Sequence, residues 1–397
     1  MGYLALYRKY RPKTFEDMCG QEPIVQTLTN QLKADRIAHA YLFSGPRGTG
    51  KTSTAKILAK AVNCLNPTPF GPCCQCEVCN MIDDKSTPDV VEIDAASNNG
   101  VDNIRQLIEE SKYAPQNVKH KVYIIDEVHM LSKAAFDALL KTLEEPTKDV
   151  IFILATTEKH KVPATIFSRC QRYDFKLMSL NTIKDNLQDI CISEGVKFEQ
   201  GSLELVSKHA EGSMRDAISL LDQIMQFYST GITTEGVREV LGEPNDEKVD
   251  RLAHYIDEDK IEEALSELKD IYMEGVSLSI VSESLYTRYK ENIYNGTGNF
   301  HKAERCMRIL AYLIEEIKQK NSSMGYTSFE IAVIKMCRPE MEEDYSSLYC
   351  RLQKVEQALE KVLEGGEIDF KPPTPIDKSE FLVLQYNQTC NVKLHIG

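Results

Sequence analysis

The sequence predicts an α/β domain built on a parallel sheet with helices on both faces, followed by purely helical domains. Three observations carry that expectation. First, short apolar runs at Ala40–Ser44, Val90–Asp94, Val122–Asp126 and Ile151–Ala155, with a more polar fifth at Arg172–Lys176, alternate with helical patterns. Strands that are apolar almost throughout and are separated by helices belong to parallel sheets covered on both faces. Second, a glycine-rich segment, Gly45-Pro46-Arg47-Gly48-Thr49-Gly50-Lys51-Thr52, follows the first run and opens a helix-forming stretch at Ser53. Third, strand signal almost vanishes beyond Leu180.

The elements follow in order. Between the apolar runs, helical patterns run over Ile24–Ala34, Thr52–Asn63, Val101–Tyr113, Lys133–Glu144 and Pro163–Ser168. From Leu180 to about Val240 come short amphipathic helices punctuated by Gly195, Gly201, Gly212 and Gly231. From about Pro244 to Glu364 the helices lengthen, with Ile261, Leu265, Leu268 and Ile271 recurring at helical spacing. Gly365-Gly366 and the proline cluster at 372–375 mark a change to linker or tail. The expected organisation is therefore a nucleotide-binding domain over 1–179, a small helical domain over 180–242, a larger helical domain over 243–368 and a tail over 369–397.

At 397 residues the chain is long enough for two to three domains, and 27% charged residues fit a globular class. No apolar run approaches a membrane span, and the N-terminus lacks a signal-peptide core, which predicts a cytoplasmic protein with no membrane partner. The net charge of −13 is unevenly spread: residues 1–180 hold 23 basic and 21 acidic residues, so the acidity is C-terminal. A local basic surface in the first half is allowed but not demanded.

The glycine-rich segment fits the phosphate-cradling loop G-x-x-x-x-G-K-[ST]. Glycines let backbone N–H groups approach phosphate, and the following helix N-terminus adds positive potential. Lys51 is placed for the β- and γ-phosphates of ATP, and the Thr52 hydroxyl for Mg²⁺, with Ser53 next to it. About 75 residues on, an apolar strand ends in Asp126-Glu127. There Asp126 would hold the Mg²⁺ shell, and Glu127 would orient or deprotonate the attacking water.

Five of the twelve cysteines, Cys64, Cys73, Cys74, Cys76 and Cys79, fall within a short segment. Cys73-x-x-Cys76-x-x-Cys79 with Cys64 offers four thiolates for a tetrahedral, structural Zn²⁺, leaving Cys74 as the odd one out. A reduced, merely thiol-rich loop is the alternative.

Several further segments belong to one pattern: Tyr7-Arg-Lys-Tyr10-Arg11-Pro12-Lys-Thr-Phe15, Gly20-Gln21, His39-Ala-Tyr-Leu-Phe-Ser-Gly and Glu92-Ile-Asp-Ala-Ala-Ser97. Asp126-Glu127-Val-His129-Met130-Leu131, Leu139-Leu-Lys-Thr-Leu-Glu-Glu-Pro146, Ala155-Thr156-Thr157, Ser168-Arg169-Cys170 and Gly212-Ser-Met-Arg215-Asp216-Ala217 continue it. Together they resemble the gamma/tau subunit family of bacterial DNA polymerase III, the AAA+ ATPases of the sliding-clamp loader. The resemblance is close over 1–240 and rests on helical pattern alone to about 365. The cysteine insert at 64–79 is specific to that family among AAA+ proteins.

The resemblance implies a P-loop AAA+ domain, a helical lid and an all-α collar that joins subunits. Lys51 and Thr52 match the Walker A positions, Asp126 and Glu127 the Walker B pair, and Thr157 sensor 1, with neighbouring Thr156 as the other claimant. Arg215 matches the sensor-2 arginine of the lid. Arg169 matches the arginine finger that reaches a neighbour's nucleotide. Arg11, Pro12 and Gln21 match the segment around the adenine. Implied partners are delta- and delta-prime-type subunits and copies of the chain itself in a pentameric ring, the sliding clamp, and primer–template DNA contacted without regard to sequence. Arg105 lies where the family tracks the duplex; Lys141 is a second DNA candidate or a structural relay. Where the family often has a basic residue near position 100, this chain reads Asn98-Asn99-Gly100. The chain's end at Gly397 resembles a short gamma-type form or a truncated chain. Open alternatives are another AAA+ ATPase of replication or recombination, and a non-hydrolysing scaffold subunit.

Overall fold

In a computed structural model the described residues are 4–228, 231–242, 246–319, 325–342 and 345–363. The tail expected at 369–397 lies outside them. The chain divides into two compact units, Met1–Leu241 and Gly242–Gly397.

The first unit is organised by five parallel strands, β1 (Ala40–Ser44), β2 (Val90–Asp94), β3 (Lys121–Asp126), β4 (Val150–Thr156) and β5 (Gln171–Asp174), in the order β2-β3-β4-β1-β5. Alternation along each strand separates two cores. Tyr41 and Phe43 of β1, with Ile151, Ile153 and Ala155 of β4, face one side. There they meet Leu28 of α2 (Glu22–Lys33) and Ala55, Leu58 and Val62 of α3 (Lys51–Asn63). Leu42, Phe152 and Leu154 face the other side. They pack with Ile104 and Leu107 of α5 (Val101–Ser111) and with Phe136, Leu139 and Leu143 of α6 (Lys133–Glu144). Helices therefore cover both faces, as an AAA+ core requires.

Four helices follow the sheet: α8 (Leu180–Glu194), α9 (Gln200–His209), α10 (Met214–Phe227) and α11 (Thr234–Leu241). Ser179 and Ser213 cap α8 and α10 by accepting the N–H groups of Thr182 and Asp216. Leu187, Leu203, Val206, Leu221 and Ile224 form their core. The N-terminal helix α1 (Leu6–Lys9) joins this lid: buried Leu6 enters its core, and the Leu6 N–H donates to Asp222 Oδ2 at 3.1 Å. Lys9 Nζ pairs with Glu194 at 2.6 Å.

Two features depart from the sequence expectation. The fifth strand, expected to reach Lys176, ends at Asp174. The Phe175 N–H still donates to Ser44 O at 2.7 Å, but the Lys176 N–H turns to Gln21 Oε1, because the chain is already leaving for the lid. Two short helices, α1 and α4 (Glu77–Asp83), gave no periodic signal at four and seven residues. The remaining helix of this unit is α7 (Ala164–Phe167).

The second unit is helical: α12 (Asp246–Asp257), α13 (Ile261–Met273), α14 (Leu278–Asn295), α15 (Phe300–Gln319), α16 (Gly325–Cys337) and α17 (Tyr345–Leu363). Leu252, Ile256, Leu268, Leu285, Leu310 and Phe329 fill its centre. Arg305 is also buried there. Its guanidinium donates to the Lys335 and Met336 carbonyls at the end of α16, both at 2.6 Å, satisfying groups that a helix C-terminus leaves open.

Candidate active site and metal centre

The loop between β1 and α3 is built from backbone that only glycine enters easily, and Gly48 shows why. Its φ is +74°, and a Cβ there would lie 1.8 Å from Ser213 Oγ. The absent side chain thus lets the start of α10 approach this loop directly. Together with the N-terminal segment they enclose a cleft of ≈ 750 Å³.

Lys51 is almost fully buried. Its ammonium donates to the Gly45 and Pro46 carbonyls at 2.8 and 2.7 Å. Burial lowers its pKa, against the pull of the Glu127 and Asp126 charges. Buried Thr49 donates to Pro46 O at 2.8 Å, bracing the loop. The Thr52 hydroxyl donates to Asp126 Oδ2 at 2.7 Å. Gly50, Arg47 and Ser53 line the same cleft.

Glu127 follows β3 with φ +48°, an uncommon conformation for a non-glycine residue that tends to mark functional sites. It turns the carboxylate toward the end of β4. There Thr157 donates to Glu127 Oε2 twice, from its hydroxyl at 2.9 Å and its backbone N–H at 3.2 Å. Thr156 is fully buried instead and contacts His129 Nδ1 at 3.0 Å. The same His129 nitrogen lies 3.4 Å from Glu127 Oε2, and its Nε2 lies 3.2 Å from Glu158. Of the two threonines, Thr157 is therefore the one that meets the Glu127 carboxylate.

Arg215, exposed at the start of α10, lines the cleft and stacks its guanidinium over Tyr7, 5.4 Å from the ring centre. Arg11 and Pro12 line the cleft as well, and Arg11 Nε donates to Ser53 Oγ at 3.1 Å. Gln21 does not line it. Its amide bridges the Lys176 backbone, donating to the carbonyl at 2.7 Å, so it fixes the sheet-to-lid connection instead. Arg169 is also away from this cleft. It follows α7, donates to Thr165 O at 2.7 Å and pairs with Glu144 of α6. Arg105 and Lys141 are exposed on α5 and α6, and Arg105 pairs with Asp102 at 3.4 Å.

Tyr7 and Glu92, both in the recognised pattern, line the cleft as well, and it also gathers residues that sequence reasoning did not single out: Met18, Cys19, Asn186 and the lysines Lys56 and Lys85 beside Glu92. Glu92 bonds Lys56 at 2.7 Å and Lys85 at 3.3 Å. His129 had a signal, two places after Glu127. Met18 and Asn186 had none, because only the fold brings them to the loop.

In the cysteine insert, the Cys64, Cys73, Cys76 and Cys79 sulfurs all lie within 4.8 Å of one another. Cys64 caps the end of α3, Cys76 caps the start of α4, and Cys79 is buried on α4. The Cys64 and Cys76 sulfurs are 4.0 Å apart, close to the spacing of two thiolates on one Zn²⁺ with bonds of about 2.3 Å. Backbone N–H groups of Cys73 and Cys76 point at the sulfurs of Cys64 and Cys73, at 3.2 and 3.3 Å. Hydrogen bonding from the Gln75 and Cys76 N–H groups lowers the Cys73 pKa to about 6, favouring thiolate. Cys74 sits in the left-handed region, φ +56°, and turns its sulfur out to the Lys13 carbonyl at 3.4 Å. The donor set fits a structural zinc site. Cys76→Ser is expected to lose the metal and Cys74→Ser to keep one zinc per chain, read by elemental analysis of protein purified under reducing, chelator-free conditions.

Comparison with known proteins gives a consistent picture. A family profile described as "DNA polymerase III, delta subunit" matches residues 20–179, and one described as "DNA polymerase III clamp loader subunit, ATPase lid domain" matches 182–229. The chain is 41% identical over 392 residues to DNA polymerase III subunit tau of Bacillus subtilis, covering 92% of this chain and 70% of that protein. It is 42% identical to the Escherichia coli tau subunit, covering 70% of this chain but 43% of that protein. It thus spans less than half of the longer relative. Among solved structures, the RuvB Holliday junction branch migration motor of Thermotoga maritima overlaps 62% of this chain and 79% of its own, with 20% identity and a TM-score of 0.47. Among the described residues, no helix is long and apolar enough to cross a membrane.

Proposed function

Because the chain belongs to the gamma/tau family of bacterial DNA polymerase III subunits, we propose that it is an ATP-driven motor subunit of the clamp loader, which opens the sliding clamp, sets it on primed DNA and releases it as ATP is hydrolysed. The observation that carries this reading is the convergence at one loop of three groups. The buried Lys51 ammonium, the Thr52 hydroxyl 2.7 Å from Asp126, and Glu127 held by Thr157 all meet there.

In this reading Lys51 is the point charge for the β- and γ-phosphates of ATP, and the loop's N–H groups cradle them. Thr52 and Asp126 are the residues that would hold Mg²⁺, which neutralises phosphate charge when bound. Glu127 orients the attacking water and takes its proton, while Thr157 fixes the carboxylate that does so. Arg215 reports nucleotide occupancy to the lid, since the lid carries it and the cleft receives it. Arg169 acts in trans, on the nucleotide of an adjoining subunit, which fits its position away from its own cleft. Zinc at the four cysteines is structural, with no open coordination position.

The partners in this reading are delta- and delta-prime-type subunits, further copies of the chain in a pentameric ring, the clamp, and primer–template DNA. Arg105 and Lys141 are candidates for backbone contact, which would be independent of sequence and weakened by salt.

Lys51→Ala tests the cleft itself. It removes two or more charge-assisted hydrogen bonds to phosphate, each of ~1.5–3 kcal/mol, so affinity for a fluorescent ATP analogue should fall at least about 100-fold. Unchanged affinity in a titration would exclude this loop as the phosphate site.

A further inference from the structure

The cysteine insert does more in this fold than hold itself together. It grips the middle of the N-terminal segment whose two flanks line the nucleotide cleft. The Phe15 N–H donates to Phe70 O at 3.1 Å, and the Cys74 sulfur meets Lys13 O at 3.4 Å. Phe70 lies in a tight turn closed by paired hydrogen bonds between Thr68 and Gly71, at 2.8 and 3.2 Å, and Cys74 follows three residues after Gly71. Gly71, at φ +120°, lies so close to Phe15 that a Cβ there would be 2.9 Å from the ring. Phe15 itself is buried in the sheet's core.

On either side of this grip the segment enters the cleft. Upstream, Arg11 and Pro12 line it, with Arg11 tied to Ser53. Downstream, Asp17, Met18 and Cys19 line it. The Asp17 carboxylate accepts the N–H groups of Lys13 and Thr14, at 3.1 and 2.9 Å, so the turn is one unit. The insert reaches the cleft by a second route too. Lys60 of α3 pairs with Asp83 of α4 at 3.0 Å, and Lys85, just beyond α4, pairs with Glu92 at the cleft wall.

We propose that the cysteine insert is a positioning element of the nucleotide cleft. By holding residues 13–15 it sets the place of Arg11, Pro12, Asp17 and Met18, and metal loading at its sulfurs raises nucleotide affinity. The proposal rests on the reading of this cleft as the ATP site. Its physical basis is preorganisation. A metal held by the four sulfurs would anchor the loop at 68–74 through Cys73, and that loop holds the segment. Without the metal, the cost of ordering the segment falls on nucleotide binding. If about a tenth of metal-free molecules keep the segment in place, affinity falls about tenfold.

The test is a titration of the full chain with a fluorescent ATP analogue, comparing zinc-loaded protein, chelator-stripped protein and Gly71→Ala, which keeps every cysteine. Zinc content, far-UV circular dichroism and hydrogen exchange of residues 11–19 are read on the same samples. The expected result is about tenfold weaker binding by stripped protein and by Gly71→Ala, with faster exchange at 11–19. Gly71→Ala should still carry one zinc, and the helical signal should be unchanged throughout. Equal affinity with and without zinc overturns the proposal. So does global loss of helical signal on stripping, which would make the insert a support of the whole domain. Failure of zinc-loaded wild type to bind the analogue would instead overturn the reading of the cleft itself, and the proposal with it.

Discussion

Glu127→Gln is expected to bind ATP as the wild type does and to lose hydrolysis by about 10²–10⁴-fold, the range for removal of a positioned general base. The substitution is nearly isosteric. The amide oxygen can still accept from the Thr157 hydroxyl and N–H, now 2.9 and 3.2 Å from Oε2, so the side chain should stay where it is. What is lost is a basic carboxylate. Lys51, Thr52 and Asp126, to which the binding role is assigned in this account, are untouched. Clamp-bound complexes should therefore accumulate, because release is the step coupled to hydrolysis in this account. Single-turnover kinetics separate the two effects: unchanged analogue affinity with a lost chemical step is the expected pair. Turnover like wild type would remove Glu127 from the catalytic role.

Arg169→Ala should spare nucleotide binding by the chain alone and cost about 10³-fold or more in hydrolysis by the assembled complex, as expected where an arginine donated across an interface stabilises the transferred phosphoryl group. The geometry gives the reason for the split. Arg169 does not reach the cleft of its own chain, being held by Thr165 O and Glu144. A complex carrying the substitution in a single subunit should fail at the neighbouring nucleotide. A defect at that subunit's own nucleotide would contradict action in trans.

The parts of the fold legible in the sequence were those with a local cause. Strand β1 is a buried, mostly apolar run with clear ends, and α6 begins just after its cap at Ser132. The glycine-rich segment and the Asp126-Glu127 doublet carry in residue type and spacing the chemistry proposed for them, and the fold brings both to one cleft. The rest depends on contacts between distant segments. Nothing local says that Gly48 must be glycine because Ser213 approaches it from the lid, or that Gln21 secures the Lys176 backbone. Spacing set Cys74 apart from the sulfur cluster, but it did not say that the Cys74 sulfur meets the Lys13 carbonyl. Short helices such as α1 also escape periodicity, since one turn cannot show it.

The central claim, a hydrolysing motor whose cycle depends on assembly, is tested most directly by steady-state ATPase activity. The chain would be assayed alone and then together with delta- and delta-prime-type subunits, clamp and primed DNA. The account predicts slow turnover by the chain alone, strong stimulation only in the full mixture, and loss of that stimulated turnover in Glu127→Gln. Turnover indifferent to partners, clamp and DNA, or the absence of any turnover in the full mixture, would contradict it.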